Sequence, residues 1–70
     1  MNKYRIQVTV IKKWFDERYN LTNVYVTVAA DMDEALSIAS RYANHQALEE
    51  HADIIKHISV TEIGEAINEG

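Results

Sequence analysis

The chain lacks the residues that staple or interrupt small domains. Its 70 residues include no cysteine and no proline, and the two glycines stand at positions 64 and 70. Without cysteine there is no disulfide framework and no thiolate zinc site, which argues against a secreted mini-protein scaffold. Without a glycine-rich segment there is no Walker or Rossmann phosphate loop. These absences favour a small intracellular domain that does not bind nucleotides.

Long hydrophobic runs are absent as well. No apolar run approaches the roughly 20 residues that a membrane-spanning helix needs, and residues 1–5 lead straight into an alternating pattern without a signal-peptide core. We therefore expect a cytoplasmic protein. A chain this short has little room for both a core and an enclosed pocket, so we expect it to act through its surface and not as an enzyme.

Charge is divided unevenly along the chain, whose net charge is -4. Residues 1–30 carry five basic and two acidic side chains, a net +3, whereas residues 31–70 carry two basic and nine acidic ones, a net -7. The folded molecule should therefore be electrically two-sided, with an acidic side that disfavours phosphate backbones and attracts basic partners. The alternative is that the acidic residues only solubilise a helix and a tail.

Alternating apolar and polar side chains predict two strands that form an antiparallel hairpin. The first strand, within 4–13, points four side chains inward: Tyr4, Ile6, Val8 and Val10. After a connection over 14–22, the second strand is predicted to point Val24, Val26 and Val28 inward and Tyr25 and Thr27 outward. The length of the connection predicts a long or flexible hairpin tip.

The period then changes to that of a helix. Asp31 is a good N-cap, and Asp33 and Glu34 place negative charge where the helix dipole favours it, so a helix should begin near Met32. Its predicted core-facing stripe comprises Ala35, Leu36, Ile38, Ala39, Tyr42, Ala43 and Ala47. The helical pattern fades over 49–53.

A third strand is predicted around Ile58 and Val60, which alternate with His57, Ser59 and Thr61. The fold class is therefore α+β: a β-β-α-β chain with a three-stranded antiparallel sheet, order 2-1-3, and one helix on one face. Residues 1–63 form the predicted single domain, and 64–70 an acidic tail that frays. The face without a helix should expose Arg5, Gln7, Thr9, Ile11, Tyr25, Thr27, His57, Ser59 and Thr61.

Aromatic residues and an arginine gather between the first two strands. Trp14, Phe15, Arg18 and Tyr19 are of the types that dominate binding hot spots, so this segment is predicted to dock on a protein. The alternative is that the first two continue the strand and cap the core. With the acidic helix included, the predicted partner-binding residues are Trp14, Phe15, Arg18, Tyr19, Tyr25, Asp33, Glu34, Glu49 and Glu50.

The second strand should lie at an edge of the sheet. Residues 24–29 contain none of the lysines, prolines or charges that usually protect an edge strand from pairing. One prediction is therefore a homodimer formed through this strand, as in a self-associating assembly module. The other is that the hairpin tip or the tail covers the edge.

Other site chemistries are poorly supported. His45 and His51 stand six positions apart, about 120° around a helix, so no metal site is expected, nor any cofactor. Capping explains the carboxylates at the helix start without catalysis. A nucleic-acid site on the open sheet would use Arg5, Lys13, Tyr25 and His57, but the required motifs are missing and the net charge is acidic.

Four short features carry a resemblance to a known family. They are Trp14-Phe15 at the end of the first strand, Leu21-Thr22 entering the second, Asp31 at the helix start and Tyr42-Ala43 within the helix. In these and in topology the chain resembles Dmd-type phage antitoxins, which occupy the active-site region of a host toxin endoribonuclease, although it is longer and has an acidic tail. It is also similar in size and layout to some anti-CRISPR proteins. The resemblance implies a phage or mobile-element inhibitor that blocks a host defence protein in the host cytoplasm.

Overall fold

A computed structural model describes residues 1–65 as one sheet and one helix. The elements are β1 (Asn2–Trp14), β2 (Glu17–Ala29), α1 (Met32–Glu49) and β3 (Ile54–Glu65). Both β2 and β3 pair antiparallel with β1, which gives the strand order β2-β1-β3. The predicted β-β-α-β layout is confirmed. Of the predicted tail 64–70, the first two residues belong to β3 and the others lie outside the described residues.

The β1–β2 hairpin turns in two residues, Phe15 and Asp16, so the predicted long tip is wrong. Trp14 pairs with Glu17, and the ladder continues without interruption to the other end of both strands. Phe15 has a φ of 55°, whereas Asp16 has no positive φ. A positive φ at the first central position only is the pattern of a type II′ turn, where glycine is usual. The residues of the turn therefore give no sequence signal for a two-residue hairpin.

The length of this turn decides which way β2 faces. Directly paired residues of antiparallel strands point to the same face, and Ile6 pairs with Tyr25 and Tyr4 with Thr27. Because Tyr4 and Ile6 are buried under the helix, Tyr25 and Thr27 also lie on the helix side. The predicted orientation of β2 is therefore wrong: its valines lie on the open face.

The core is formed by the helix side of the sheet and one stripe of α1. Its buried members are Tyr4, Ile6, Val8, Val10, Ala29, Ala35, Ala39 and Ala43. Leu36 was predicted to join them but is 47% exposed. Each helical residue turns by about 100°, so Leu36 points away from the sheet when Ala35 and Ala39 face it.

The C-terminal end of α1 is closed by a Schellman motif. The amide of Ala52 donates to the carbonyl of Ala47 at 2.8 Å, and the amide of His51 donates to that of Leu48 at 3.3 Å. His51 takes the left-handed position with φ 53°, where glycine is usual. This gives His51 a structural role, and Asp53 then leads into β3 by donating its amide to the carbonyl of Ile11 at 3.0 Å.

The β1–β2 hairpin extends beyond the rest of the fold. β3 pairs with β1 only as far as Ile11, which opposes Ile54, and α1 ends at the same level. Residues 12–20, called the hairpin arm below, therefore form two strands without a third strand beside them. The described molecule is accordingly elongated, with principal-axis extents of 50 × 18 × 17 Å.

Candidate protein-docking surface

The hairpin arm has two different faces. By the register of β1 and β2, Lys12 opposes Tyr19 and Trp14 opposes Glu17 on the helix side, whereas Lys13 opposes Arg18 on the open side. The predicted aromatic-arginine cluster is thus divided. Trp14 and Tyr19 share one face, and Arg18 lies on the other.

The end of the arm presents two aromatic rings to solvent. Trp14 is 58% exposed and Phe15 is 89% exposed. Their rings meet edge to face, with centroids 5.1 Å apart and an interplanar angle of 81°. This geometry is a favourable one for aromatic pairs, and it leaves most of the surface of both rings exposed. Trp14 therefore continues β1, as the alternative reading expected, but it does not cap the core.

A shallow groove lies where the arm meets the end of the helix. It has a volume of about 440 Å³, opens to solvent, and is lined by Lys12, Trp14, Tyr19, Leu21 and Glu50. The strands supply an apolar floor, while the lysine and the glutamate supply one charge of each sign. Such a groove suits an apolar side chain of a protein partner, with polar contacts at its rim.

A hydrogen bond within the arm fixes Tyr19. Its hydroxyl donates to the carboxylate of Glu17, two residues earlier on the same face. This bond, together with a small contribution from burial, raises the pKa of Tyr19 above its ordinary value. Tyr19 thus remains a neutral phenol at physiological pH, with its ring held beside the groove.

Tyr25, a predicted partner contact, instead joins the sheet to the helix. Its hydroxyl donates to Oε1 of Gln46 at 2.9 Å, and its ring lies 4.9 Å from that of Tyr42. Gln46 is only 2% exposed, and its Nε2 donates to the carbonyl oxygens of Leu21 at 3.3 Å and Val8 at 3.4 Å. The helix is thereby tied to both strands at the base of the arm.

Sequence reasoning missed Gln46. The signal was its spacing, three residues after Ala43 on the stripe that faces the sheet. A polar residue at such a position indicates a buried hydrogen-bonding role, because an unpaired amide in a core is costly.

The predicted acidic contacts are divided between the two ends of α1. Glu50 lines the groove, whereas Asp33 and Glu34 lie in the first turn of α1, at the other end of the helix. There the amide of Glu34 donates to Oδ1 of Asp31 at 2.9 Å, which confirms the predicted N-cap. Glu49 lies 3.0 Å from Nε2 of His45 in an exposed pair. The nine predicted residues therefore do not form one surface.

The paired positions on the open face of the sheet carry basic but no acidic side chains. Strand alternation and register place Lys3, Arg5, Lys13 and Arg18 on this face, and no paired open-face position of the described strands holds a carboxylate. The only ring at these positions is the imidazole of His57. The proposed nucleic-acid residues are therefore divided, because Tyr25 lies on the helix side and Arg5 on the open side. A base-stacking platform is not formed.

Other kinds of site find no support within residues 1–65. No three histidine, aspartate or glutamate side chains of this region are grouped so that they could hold a metal ion. The helix in this part of the chain is not long and apolar enough to cross a membrane.

The arm is thus the surface that combines exposed aromatic rings with a groove. A scan of protein-family models and searches of curated proteins and of solved structures returned no match to this chain.

Proposed function

We propose that this chain is a non-enzymatic protein-binding module that blocks a surface of its partner with the hairpin arm. The observation that carries the proposal is the exposure of Trp14 and Phe15, 58% and 89%, where the hairpin closes in a two-residue turn. Aromatic side chains of this kind bury a large area on binding and lose few rotamers. A tight turn holds them in advance, which lowers the entropic cost of association.

The partner class follows from the charges around the arm. Glu49, Glu50 and Asp53 lie at the end of the helix nearest the arm. The helix side of the arm itself is neutral, with Lys12 against Glu17. A basic surface, such as the nucleic-acid-binding site of a host nuclease, would be attracted to this side. This supports the target class implied by the resemblance, a host defence protein or toxin ribonuclease, and a phage or mobile-element origin is part of the same proposal.

The experiment uses the single tryptophan of the chain as its reporter. The protein captures its partner from host lysate, and the purified partner is then titrated against the chain while Trp14 emission is recorded. We expect a blue shift on binding, because docking removes the indole from water. The double variant Trp14→Ala, Tyr19→Ala is tested by calorimetry, and we expect it to bind at least about 30-fold more weakly, as for the loss of a hot spot of about 2 kcal/mol.

The matched control is Leu36→Ala. Leu36 is an apolar residue of similar exposure, 47%, in the N-terminal half of α1 and far from the arm. It should leave the affinity unchanged. Binding that leaves Trp14 emission and the affinity of the double variant unaltered would reject the arm as the docking surface.

A further inference from the structure

The two edges of the sheet differ in how they resist pairing. The ladder between β1 and β3 shifts register twice, between Lys3 and Tyr4 and again between Thr9 and Val10. β3 also carries charged residues along its length, among them Lys56, Glu62 and Glu65. Bulges and charges are the devices that protect an edge strand from another chain. The β3 edge is therefore protected from pairing with another chain.

The β2 edge has neither device. All thirteen residues of β2 pair with β1 in one uninterrupted register, so its outer edge is regular. Between Leu21 and Ala30 the sequence contains no charged residue and no proline. No element of residues 1–65 pairs with this edge. The predicted cover by the hairpin tip is not formed, because the tip continues the strands in line.

A stripe of three valines runs along the same strand. Val24, Val26 and Val28 lie on the open face and are 51%, 62% and 41% exposed. They oppose the polar residues Gln7, Arg5 and Lys3 of β1, so nothing apolar on the neighbouring strand covers them. β-branched side chains gain most when a second strand brings further β-branched residues beside them.

We propose that a second copy of this chain pairs antiparallel with β2 about a two-fold axis through Val26, which joins the two sheets into one of six strands. The segment is complementary to itself in this register. Val26 meets its own counterpart, and Val24 meets Val28 of the other copy. An axis perpendicular to the sheet keeps both helices on one face, so both copies make identical contacts, as a closed dimer requires.

Charge supports a second copy as the occupant. In this register Thr22 opposes Ala30 of the other copy, so the acidic start of α1 in one copy lies nearest the arm of the other. On the helix side the arm carries Lys12 against Glu17, whereas Lys13 and Arg18 lie on the open side. The pairing places no like charges opposite each other, because the paired segment 22–30 carries no charged residue.

The dimer does not depend on the proposed docking function. The turn lies ten residues from Val26, about 33 Å along the strand, so pairing leaves the arm uncovered. The two surfaces can therefore be altered separately. A variant that abolishes dimerisation should keep partner binding, and a variant that abolishes partner binding should keep dimerisation.

The first measurement is the mass of the wild-type chain by sedimentation equilibrium over a range of concentrations. We expect a species of twice the 8.0 kDa of one chain. Val26→Lys should weaken the dimer by about tenfold or more, because it opposes two like charges at the axis and removes the central valine pair. Thr61→Lys is the matched control, since Thr61 opposes the same residue, Arg5, on the opposite edge. It should not change the dissociation constant.

Two further variants test the register. An equal mixture of Val26→Lys and Val26→Glu should recover the dimer, because opposite charges then meet at the axis. Since the native chain has no cysteine, Val26→Cys should form a disulfide-linked dimer on mild oxidation, whereas Thr61→Cys should not. This pair decides the question even if the lysine variant fails to fold.

Three results would overturn the proposal. One is a wild-type chain that stays monomeric at its highest soluble concentration. Another is a dimer that Thr61→Lys weakens and Val26→Lys does not, and the third is equal cross-linking by both cysteine variants. The Trp14→Ala, Tyr19→Ala variant should dimerise normally, which separates a failure of this proposal from a failure of the docking function.

Discussion

The two halves of the β1–β2 hairpin are both rich in large apolar residues, yet their surroundings are opposite. In the half that α1 covers, Ile6, Val8 and Val10 have no exposed surface, whereas Trp14 and Phe15 in the arm are mostly exposed. A helix of 18 residues is about 27 Å long and a strand of 13 residues about 43 Å. One helix is therefore too short to cover the whole hairpin.

This mismatch in length separates the part of the hairpin that stabilises the fold from the part that remains exposed. The covered half provides the burial that stabilises the fold, and the arm remains outside it with its aromatic residues free. Because the β1–β2 ladder is continuous, the covered half fixes the position of the arm, which has no core of its own. Variants should therefore separate stability from binding along one hairpin.

The largest expected effect comes from the covered half. Ile6→Ala should lower the free energy of unfolding by about 2–5 kcal/mol, because it removes buried apolar surface and leaves a cavity. Trp14→Ala should cost no more than about 1.5 kcal/mol, the upper value of an aromatic pair. Urea unfolding followed by circular dichroism measures both. If Ile6→Ala does not fold, Ile6→Val, with an expected cost of about 0.5–1.5 kcal/mol, gives the comparison. Equal costs at Ile6 and Trp14 would mean that the arm is part of the core.

A smaller effect is expected where the two halves join. Gln46→Leu should cost about 1–3 kcal/mol, because the hydroxyl of Tyr25 loses its buried acceptor. Adding Tyr25→Phe removes the orphaned hydroxyl and should restore part of the loss. A double-mutant cycle in urea measures this coupling. Additive costs would show that the bond between Tyr25 and Gln46 contributes nothing.

The smallest effect is expected at the turn, where a substitution should raise the free energy of unfolding and not lower it. Phe15→Gly should leave the free energy of unfolding unchanged or raise it by up to about 1 kcal/mol, because glycine adopts a positive φ without strain. Asp16→Gly, the matched control, should destabilise by about 0.5–1 kcal/mol, because there glycine only adds flexibility to the unfolded chain. Thermal unfolding of both variants tests the turn type. A greater loss for Phe15→Gly than for Asp16→Gly would contradict it.

The elements themselves could be predicted from the sequence with good agreement. Alternation placed Tyr4, Ile6, Val8 and Val10 on the buried face, and Asp31 marked the start of the helix. The orientation of β2 could not be predicted. Side chains alternate with a period of two, so a shift of one residue in the turn reverses every position, and Phe15-Asp16 lacks the glycine or asparagine that would mark it.

The candidate site could be predicted only in part, for a related reason. The residue types at 14, 15 and 19 predict binding, and all three side chains are exposed. The groove with Glu50 depends on where α1 ends relative to the strands, which no local pattern encodes. Arg18 is separated from Trp14 and Tyr19 by strand alternation, and Tyr25 lies on the helix side because the turn reverses the predicted orientation of β2. In a strand, adjacent residues face opposite ways.

By itself, the sequence determined the local structure of this protein: its periodicities, its helix cap and the absence of any stapling residue. These properties depend on the conformational preferences of short segments. Only the tertiary structure decided which valines are exposed, which edge is unguarded and how far the arm extends. Those properties depend on register and on the relative lengths of packed elements, which arise when segments distant in the chain meet.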